Sequence, residues 1–290
     1  MATSPVNKIA VYGSRRQQQN AADLRRLLLA FVMEGVHVAV HDKLYDYLNC
    51  DAGLSLAGCE RVFSCPDDAS IVVSIGGDGT LLRAVAWTET KSIPVLGINT
   101  GHLGYLTAIS LNEAIENVDE ILHCDFRSEQ HTLLQVDAPG LIGTNMALNE
   151  VVVAKEDSSS MISVITEVDG KYLADYKADG LIVSTPTGST AYNLSVGGPI
   201  VETTAPVWIL TPIAAHSLTL RPLVIGDNSA IKLTVNGRGS RFRLVLDGRA
   251  TSMPMGSVIN IRRAPRKAEI LQKKNRDFAK IIGEKLGFNG

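Results

Sequence analysis

The hydrophobic rhythm of this chain changes near Phe126, and that change limits the possible folds more than any other feature. Before it, apolar runs of strand length alternate with apolar residues at helical spacing. Ile9-Ala10-Val11-Tyr12 is a short apolar run stopped by Gly13-Ser14. Leu24, Leu27, Leu28 and Phe31 share one helical face, and Gly35 ends that segment. Val36-His37-Val38-Ala39-Val40 alternates as a second strand, and Ile71-Val72-Val73-Ser74-Ile75 is apolar enough to be buried on both faces. A fourth strand is expected at 93–98, and a single helix at 111–122. Such alternation implies a parallel sheet covered by helices.

After Phe126, short β-type runs follow one another at 133–136, 148–153, 162–168, 173–176, 181–184, 207–210, 231–235, 242–246 and 258–261. Asp169-Gly170, Asn236-Gly237 and Asp247-Gly248 punctuate them as turn dipeptides. Residues 267–286 return to helical spacing, with Leu271, Phe278, Ile281, Ile282 and Leu286 as the apolar stripe. The expected organisation is an α/β domain at 1–125, a β-rich domain at 126–264 and a helical segment at 265–290.

Composition excludes several classes of function. A net charge of -2 offers no global attraction to nucleic acid or to an anionic membrane. No run reaches the ~18 apolar residues of a membrane-spanning helix, and Met1 to Lys8 lack a basic region followed by an apolar core. Cys50, Cys59, Cys65 and Cys124 form no C-x-x-C pair, so they read as isolated thiols of a cytoplasmic protein.

Gly76-Gly77-Asp78-Gly79-Thr80 follows a buried strand and precedes a helix begun by Leu81, Leu82 and Val85. Such a turn aims backbone N–H groups and the positive helix end at a phosphate. An acid there is electrostatically odd unless Asp78 takes a proton from a hydroxyl or helps hold a metal on the phosphates; otherwise its side chain caps the helix. No G-x-x-x-x-G-K-[ST] occurs, and Leu82 stands where a dinucleotide fingerprint needs its third glycine. Asn149-Glu150 lies in a β run, suited to ribose hydroxyls or to a solvent-facing edge. From Asp179 a buried strand enters the hydroxyl-rich turn Thr185-Pro186-Thr187-Gly188-Ser189-Thr190-Ala191-Tyr192-Asn193-Leu194-Ser195, followed by Gly197-Gly198-Pro199. It supplies small donors and, at Tyr192, a flat face for a base, or else it is a solvated connection.

Together these three blocks resemble the signature motifs of the NAD kinase family, in that family's order. Thr211-Pro212-Ile213, His216-Ser217-Leu218 and Arg221-Pro222-Leu223 resemble a fourth block. The G-G-D-G-[TS] turn is shared with lipid kinases and phosphofructokinases, and the Asn-Glu pair with the Thr-Pro-Thr-Gly-Ser-Thr-Ala-Tyr stretch narrows the resemblance. It implies an N-terminal Rossmann-like α/β domain, a C-terminal β-sandwich-like domain and a final helix returning to the first domain. It also implies ATP and NAD as substrates, a divalent cation (usually Mg²⁺), and a homodimer or homotetramer.

By resemblance, Asp78 matches the general base, with Gly79 at the nucleotide phosphates and Arg83 a basic residue near the ligand. Asn149 and Glu150 match a ribose-binding pair, Asp179 an acid on NAD, and Lys177 a variable position beside it. Thr190, Ala191, Tyr192, Asn193, Leu194 and Ser195 match the loop that wraps the dinucleotide, and Ala214 a backbone contact. Arg249 departs from the family pattern, where Gln is common, and suits a phosphate as well. His216 reads as holding its loop. Arg262, Arg263, Arg266, Lys267, Lys273 and Lys274 read as a solvated helix face or as support for ATP phosphates. The rival functions are a lipid kinase, which needs an apolar pocket, and an NAD-sensing protein, which has no use for Asp78. Self-association is expected through the β-rich part, unless Lys155, Glu156 and Asp157 protect its edges.

Overall fold

The computed structural model describes residues 6–15, 20–101, 104–156, 160–275 and 278–287. Two compact units divide the chain: Met1–Gln130 with Ala268–Gly290, and His131–Lys267.

In the first unit the four apolar runs become β1 (Lys8–Gly13), β2 (His37–His41), β4 (Ile71–Ile75) and β5 (Val95–Asn99), and a further strand, β3 (Cys59–Val62), forms where no apolar run was expected. All pair in parallel in the order β3-β2-β1-β4-β5. This is the doubly wound order, and it reverses direction between β1 and β4. The connecting helices are α1 (Ala21–Met33), the short α2 (Asp42–Asp46) and α3 (Asp78–Trp87). The α1 stripe of Leu24, Leu27, Leu28 and Phe31 is fully buried against the sheet, with Ile9, Val11, Val38 and Val73 in the same core. A two-residue strand, β6 (Ile109–Ser110), leads into α4 (Leu111–Glu116) and α5 (Val118–Leu122). The expected single helix is therefore two. Asn117, at φ -127 and ψ 49, leaves helical geometry, and its side chain donates to the Glu113 carbonyl at 3.0 Å.

The second unit is antiparallel. One sheet runs β14-β13-β12-β9-β16-β17, built from β9 (Glu150–Lys155), β12 (Gly180–Ser184), β13 (Val207–Ile213), β14 (Leu223–Gly226), β16 (Arg241–Leu246) and β17 (Arg249–Pro254). The other contains β10 (Ile162–Val168), β11 (Lys171–Ala178) and β15 (Ile231–Gly237), the last of which pairs with the start of β18 (Val258–Gln272). β7 (Arg127–Asp137) pairs with β8 (Met146–Ala147). One core joins the inner faces of both sheets, with Val164, Leu233 and Ile259 beside Val153, Leu210, Phe242 and Trp208. This is the β-sandwich-like arrangement expected. The turn at α6 (Tyr192–Ser195) interrupts the strands.

Two further sequence expectations are corrected. Asn236-Gly237 is no turn: both residues lie in β15 and pair with Ser163 and Ile162. Residues 267–272 are not helical either, because β18 extends to Gln272, with Ile270 and Leu271 paired to β5 in the first unit. Burial there alternates as in a strand, with Ile259 and Ile261 buried and then, past the two exposed residues Arg262 and Arg263, Ala264, Ala268 and Ile270. The final helix is α7 (Phe278–Leu286).

The basic run accordingly lies on and just after a strand, with partners. Arg262 donates to Gln135, Arg263 to Asp227 and Asn228, Lys273 to Glu113 and Lys274 to Asp125. Among the described residues, no helix is long and apolar enough to cross a membrane.

Candidate functional site

In the first unit the site grows from the end of β4. The strand delivers Gly76 beside β1, where strand order reverses, and open α/β sheets bind ligands at that point. Gly76 takes φ 145, a conformation that side chains disfavour, and donates its N–H to the Ile98 carbonyl at 2.9 Å. Gly77 then caps α3 with extended backbone and brings no side chain of its own to the helix's first N–H groups. Among the described residues, a Cβ added at Gly77 or Gly79 would meet nothing within 4 Å, which leaves space over this turn. Thr80 is buried, while Arg83 is on the exposed side of α3.

Asp78 is the first residue of α3, and its side chain does not cap the helix. Instead its carboxylate accepts three main-chain N–H groups: Tyr105 at 2.7 Å on Oδ2, with Leu106 at 3.1 Å and Thr107 at 3.2 Å on Oδ1. Gly104 makes this approach possible, since a Cβ there would sit 2.1 Å from Asp78 Oδ1. The loop is braced in turn. Thr107 Oγ1 accepts from the Gly104 N–H at 2.9 Å and from Asn99 at 3.2 Å, and buried Gln272 donates to the Leu106 carbonyl at 2.8 Å. Burial, and then the Asp78 charge, raise the Tyr105 hydroxyl above its ordinary pKa.

In the second unit, Asn149 and Glu150 stand at the entry of β9, and both are buried. The solvent-facing alternative therefore does not hold. Their main chain is clamped on both edges. Asp247 accepts the N–H groups of Leu148, Asn149 and Glu150 at 2.7, 2.9 and 3.2 Å. On the other edge, Thr185 Oγ1 donates to the Leu148 carbonyl at 2.6 Å, and the Thr185 N–H and Ser184 hydroxyl donate to that of Asn149. Gly188 packs so closely here that a Cβ would lie 2.2 Å from the Asn149 oxygen. Among the described residues, Asn149 Oδ1 and Glu150 Oε2 are buried with no hydrogen-bond partner. Burial, with the neighbouring Asp247 charge second, pushes the Glu150 carboxyl up to about 8.

The hydroxyl-rich turn contributes structure as well as donors. Asn193 donates to the Ser189 and Pro199 carbonyls and accepts from Thr211 Oγ1 at 2.6 Å, so its side chain holds the loop together. Tyr192 and Ser195 are exposed, and Thr190, Ala191 and Leu194 are half-buried. Asp179 is ion-paired with Lys155 at 2.7 Å, and Lys177 is exposed on β11. His216 holds its loop with its main-chain N–H, donated to the Lys177 carbonyl at 3.0 Å. Ala214 has φ 46, strained for a residue with a Cβ, at the end of β13. Arg249 braces the Leu246 and Met146 carbonyls at 3.1 and 2.6 Å.

Sequence reasoning missed Gly104, Gln272 and the function of Asp247. The two glycines of Thr100-Gly101-His102-Leu103-Gly104, just after an apolar strand, were a usable signal for the first, although His102 and Leu103 lie outside the described residues. Asp247-Gly248 reads only as a turn, and nothing nearby marks Asp247 as an anchor.

Comparison with known proteins bears on these same segments. A family model described as the ATP-NAD kinase N-terminal domain matches residues 58–126, and one described as the ATP-NAD kinase C-terminal domain matches 148–273. An NAD kinase of Porphyromonas gingivalis is 39% identical over 281 residues, spanning 97% of this chain and 98% of that one. An NAD kinase of Bacteroides fragilis is 37% identical over 281 residues, spanning 96% and 97%. Among solved structures, an NAD kinase from Archaeoglobus fulgidus in complex with ATP matches with TM-score 0.74 at 25% identity, over 96% of this chain and 98% of that one. Yeast NADH kinase complexed with NADH shares the fold, with TM-score 0.86 at 24% identity over 99% and 89%.

Proposed function

The chain belongs to the ATP-NAD kinase family, and from that premise we propose how its residues divide the work of moving the γ-phosphate of ATP to the adenosine ribose 2′-hydroxyl of NAD. The family excludes the lipid-kinase and NAD-sensing readings. The observation that carries the proposal is the Asp78 carboxylate, oriented by three N–H groups at the start of a helix whose first turn opens on free space.

Asp78 is the general base. A ribose hydroxyl is a poor nucleophile until its proton has an acceptor, and Asp78 takes that proton as oxygen bonds to the γ-phosphorus. The rest of the acceleration comes from in-line placement and from dipoles aimed at the phosphoryl oxygens. Gly76, Gly77, Gly79 and Thr80 form the phosphate turn, with Arg83 one helical turn on. Asn149 and Glu150 receive ribose hydroxyls, for which their two unpartnered buried oxygens are suited. Asp179, Lys177 and the main chain at Ala214 are further NAD contacts. Thr190 to Ser195 wrap the dinucleotide, Tyr192 presenting its ring to a base and Asn193 acting through the loop it braces. Arg249 serves the same site beside Asp247.

Among the described residues, no three His, Cys, Asp or Glu side chains gather to hold a metal ion. A divalent cation, Mg²⁺ by family habit, fits as a companion of the ATP phosphates, where such ions keep much of their water. Bound there, it supplies charge neutralisation at the transferring group. We further assign the enzyme to the cytoplasm, working as a homodimer or homotetramer without nucleic-acid or membrane partners.

The test is a coupled assay with purified protein, ATP, Mg²⁺ and NAD. NADP should accumulate with turnover; a folded, pure preparation that forms none would overturn the reading.

A further inference from the structure

The roles above leave the Asp247 carboxylate unused. Asp247 opens the two-residue turn between β16 and β17, with φ 45, and Gly248 follows at φ 77. Turn aspartates commonly bond their own backbone two residues on. This one reaches instead across 97 to 99 positions of sequence to three consecutive N–H groups at Leu148, Asn149 and Glu150. Its own N–H completes the contact by donating to the Glu150 carbonyl at 3.2 Å.

Only a carboxylate suits this task. Three donors converge on two oxygens, and an amide would turn N–H against N–H. Thr185 and Ser184 already hold the carbonyls of Leu148 and Asn149 from the other edge. The peptide planes from 148 to 150 are thus fixed on both sides. What remains free is the pair of side-chain oxygens, Asn149 Oδ1 and Glu150 Oε2, buried and without a partner among the described residues.

We propose that Asp247 is a positioning residue for the reaction: its carboxylate sets the course of the main chain at 148–150, and through it the directions in which Asn149 and Glu150 present their side chains to NAD. The proposal rests on the reading of those two residues as NAD contacts. Misplacing a substrate-holding group by about 1 Å costs on the order of 10²-fold in rate. Asp247 therefore governs NAD parameters and leaves ATP parameters alone.

Steady-state kinetics of the full-length enzyme test this with Asp247→Asn, Asn149→Ala, Glu150→Gln and their combinations. Asp247→Asn should lower kcat/KM for NAD by ~10²-fold with KM for ATP unchanged. In the Asn149→Ala, Glu150→Gln background its effect should largely vanish, because the groups it positions are gone. An undiminished effect in that background overturns the proposal, as does an equal change in the ATP and NAD constants. If Asn149→Ala and Glu150→Gln weaken NAD but folded Asp247→Asn does not, the proposal alone falls. If those two also leave NAD unaffected, the reading of the site falls with it. Should Asp247→Asn fail to fold, hydrogen exchange on the unmodified enzyme decides: the amides of 148–150 should be protected without ligand, and exchange at the rate of open loops overturns the clamp.

Discussion

Asp78 and Glu150 are the two acids of the proposed site, and they sit in different surroundings. Asp78 receives three N–H groups on its two oxygens, which fix its orientation. Asp78→Asn should lower kcat by ~10²–10⁴ while barely changing NAD affinity, since a base acts in the transition state. Near-normal turnover of the folded variant would remove Asp78 from the chemistry. Glu150 is raised from 4.5 to about 8, first by burial and then by the Asp247 charge. Between those two values the folded chain keeps a proton that the unfolded chain has released. Native stability is therefore lost as pH rises through that window, and no more is lost above it. Glu150→Gln, which cannot ionise, should gain melting temperature over the native enzyme increasingly from pH 4.5 to about 8. A difference independent of pH would mean that Glu150 does not titrate in this way.

At the scale of elements, one device occurs twice. A carboxylate leaves a turn or helix start and gathers three consecutive N–H groups from a distant segment: Asp78 from 105–107, Asp247 from 148–150. Each arrangement ties a loop to regular structure without a cap or a strand ladder, satisfying N–H groups that would otherwise need water. Gly104 is the spacer of the first. An added Cβ would meet Asp78 Oδ1 at 2.1 Å, so loop and carboxylate must separate. Gly104→Ala should therefore cost on the order of 10²-fold in kcat. Full activity would show that the close approach is dispensable.

For the molecule as a whole, the second unit leaves strand edges open. β11 ends one sheet and β14 and β17 end the other, and Tyr172, Leu173 and Val224 are exposed on these edge strands. Of the charges named as edge guards, Lys155 is paired with Asp179, Glu156 faces Arg241, and Asp157 lies outside the described residues. Open edges of this kind invite symmetric pairing. We expect a homo-oligomer formed through this unit and needed for full activity. Light scattering after size exclusion, over a dilution series run beside the assay, should show a mass above 31.1 kDa that dissociates together with activity. A monomer of undiminished specific activity would rule this out.

Much of the enzyme was legible in the amino-acid order because the relevant physics is local. An apolar strand, a glycine turn and a helix announce the proposed phosphate site within residues 71–85, and Asp169-Gly170 marks its hairpin because both residues must take positive φ, as they do at 51 and 74. The strand-helix alternation likewise foretold the parallel sheet. Where local chemistry competed with pairing, pairing won. Asn236-Gly237 carries a turn signature yet lies flat in β15 against Ile162 and Ser163, and the apolar spacing around Leu271 serves a strand beside β5. The anchors were beyond sequence reasoning altogether. Asp78 finds its donors 27 to 29 residues away, and Asp247 finds its own 97 to 99 away. A backbone preference is set by adjacent residues, whereas a hydrogen-bond partner at such separation exists only once the tertiary fold has brought the two segments together.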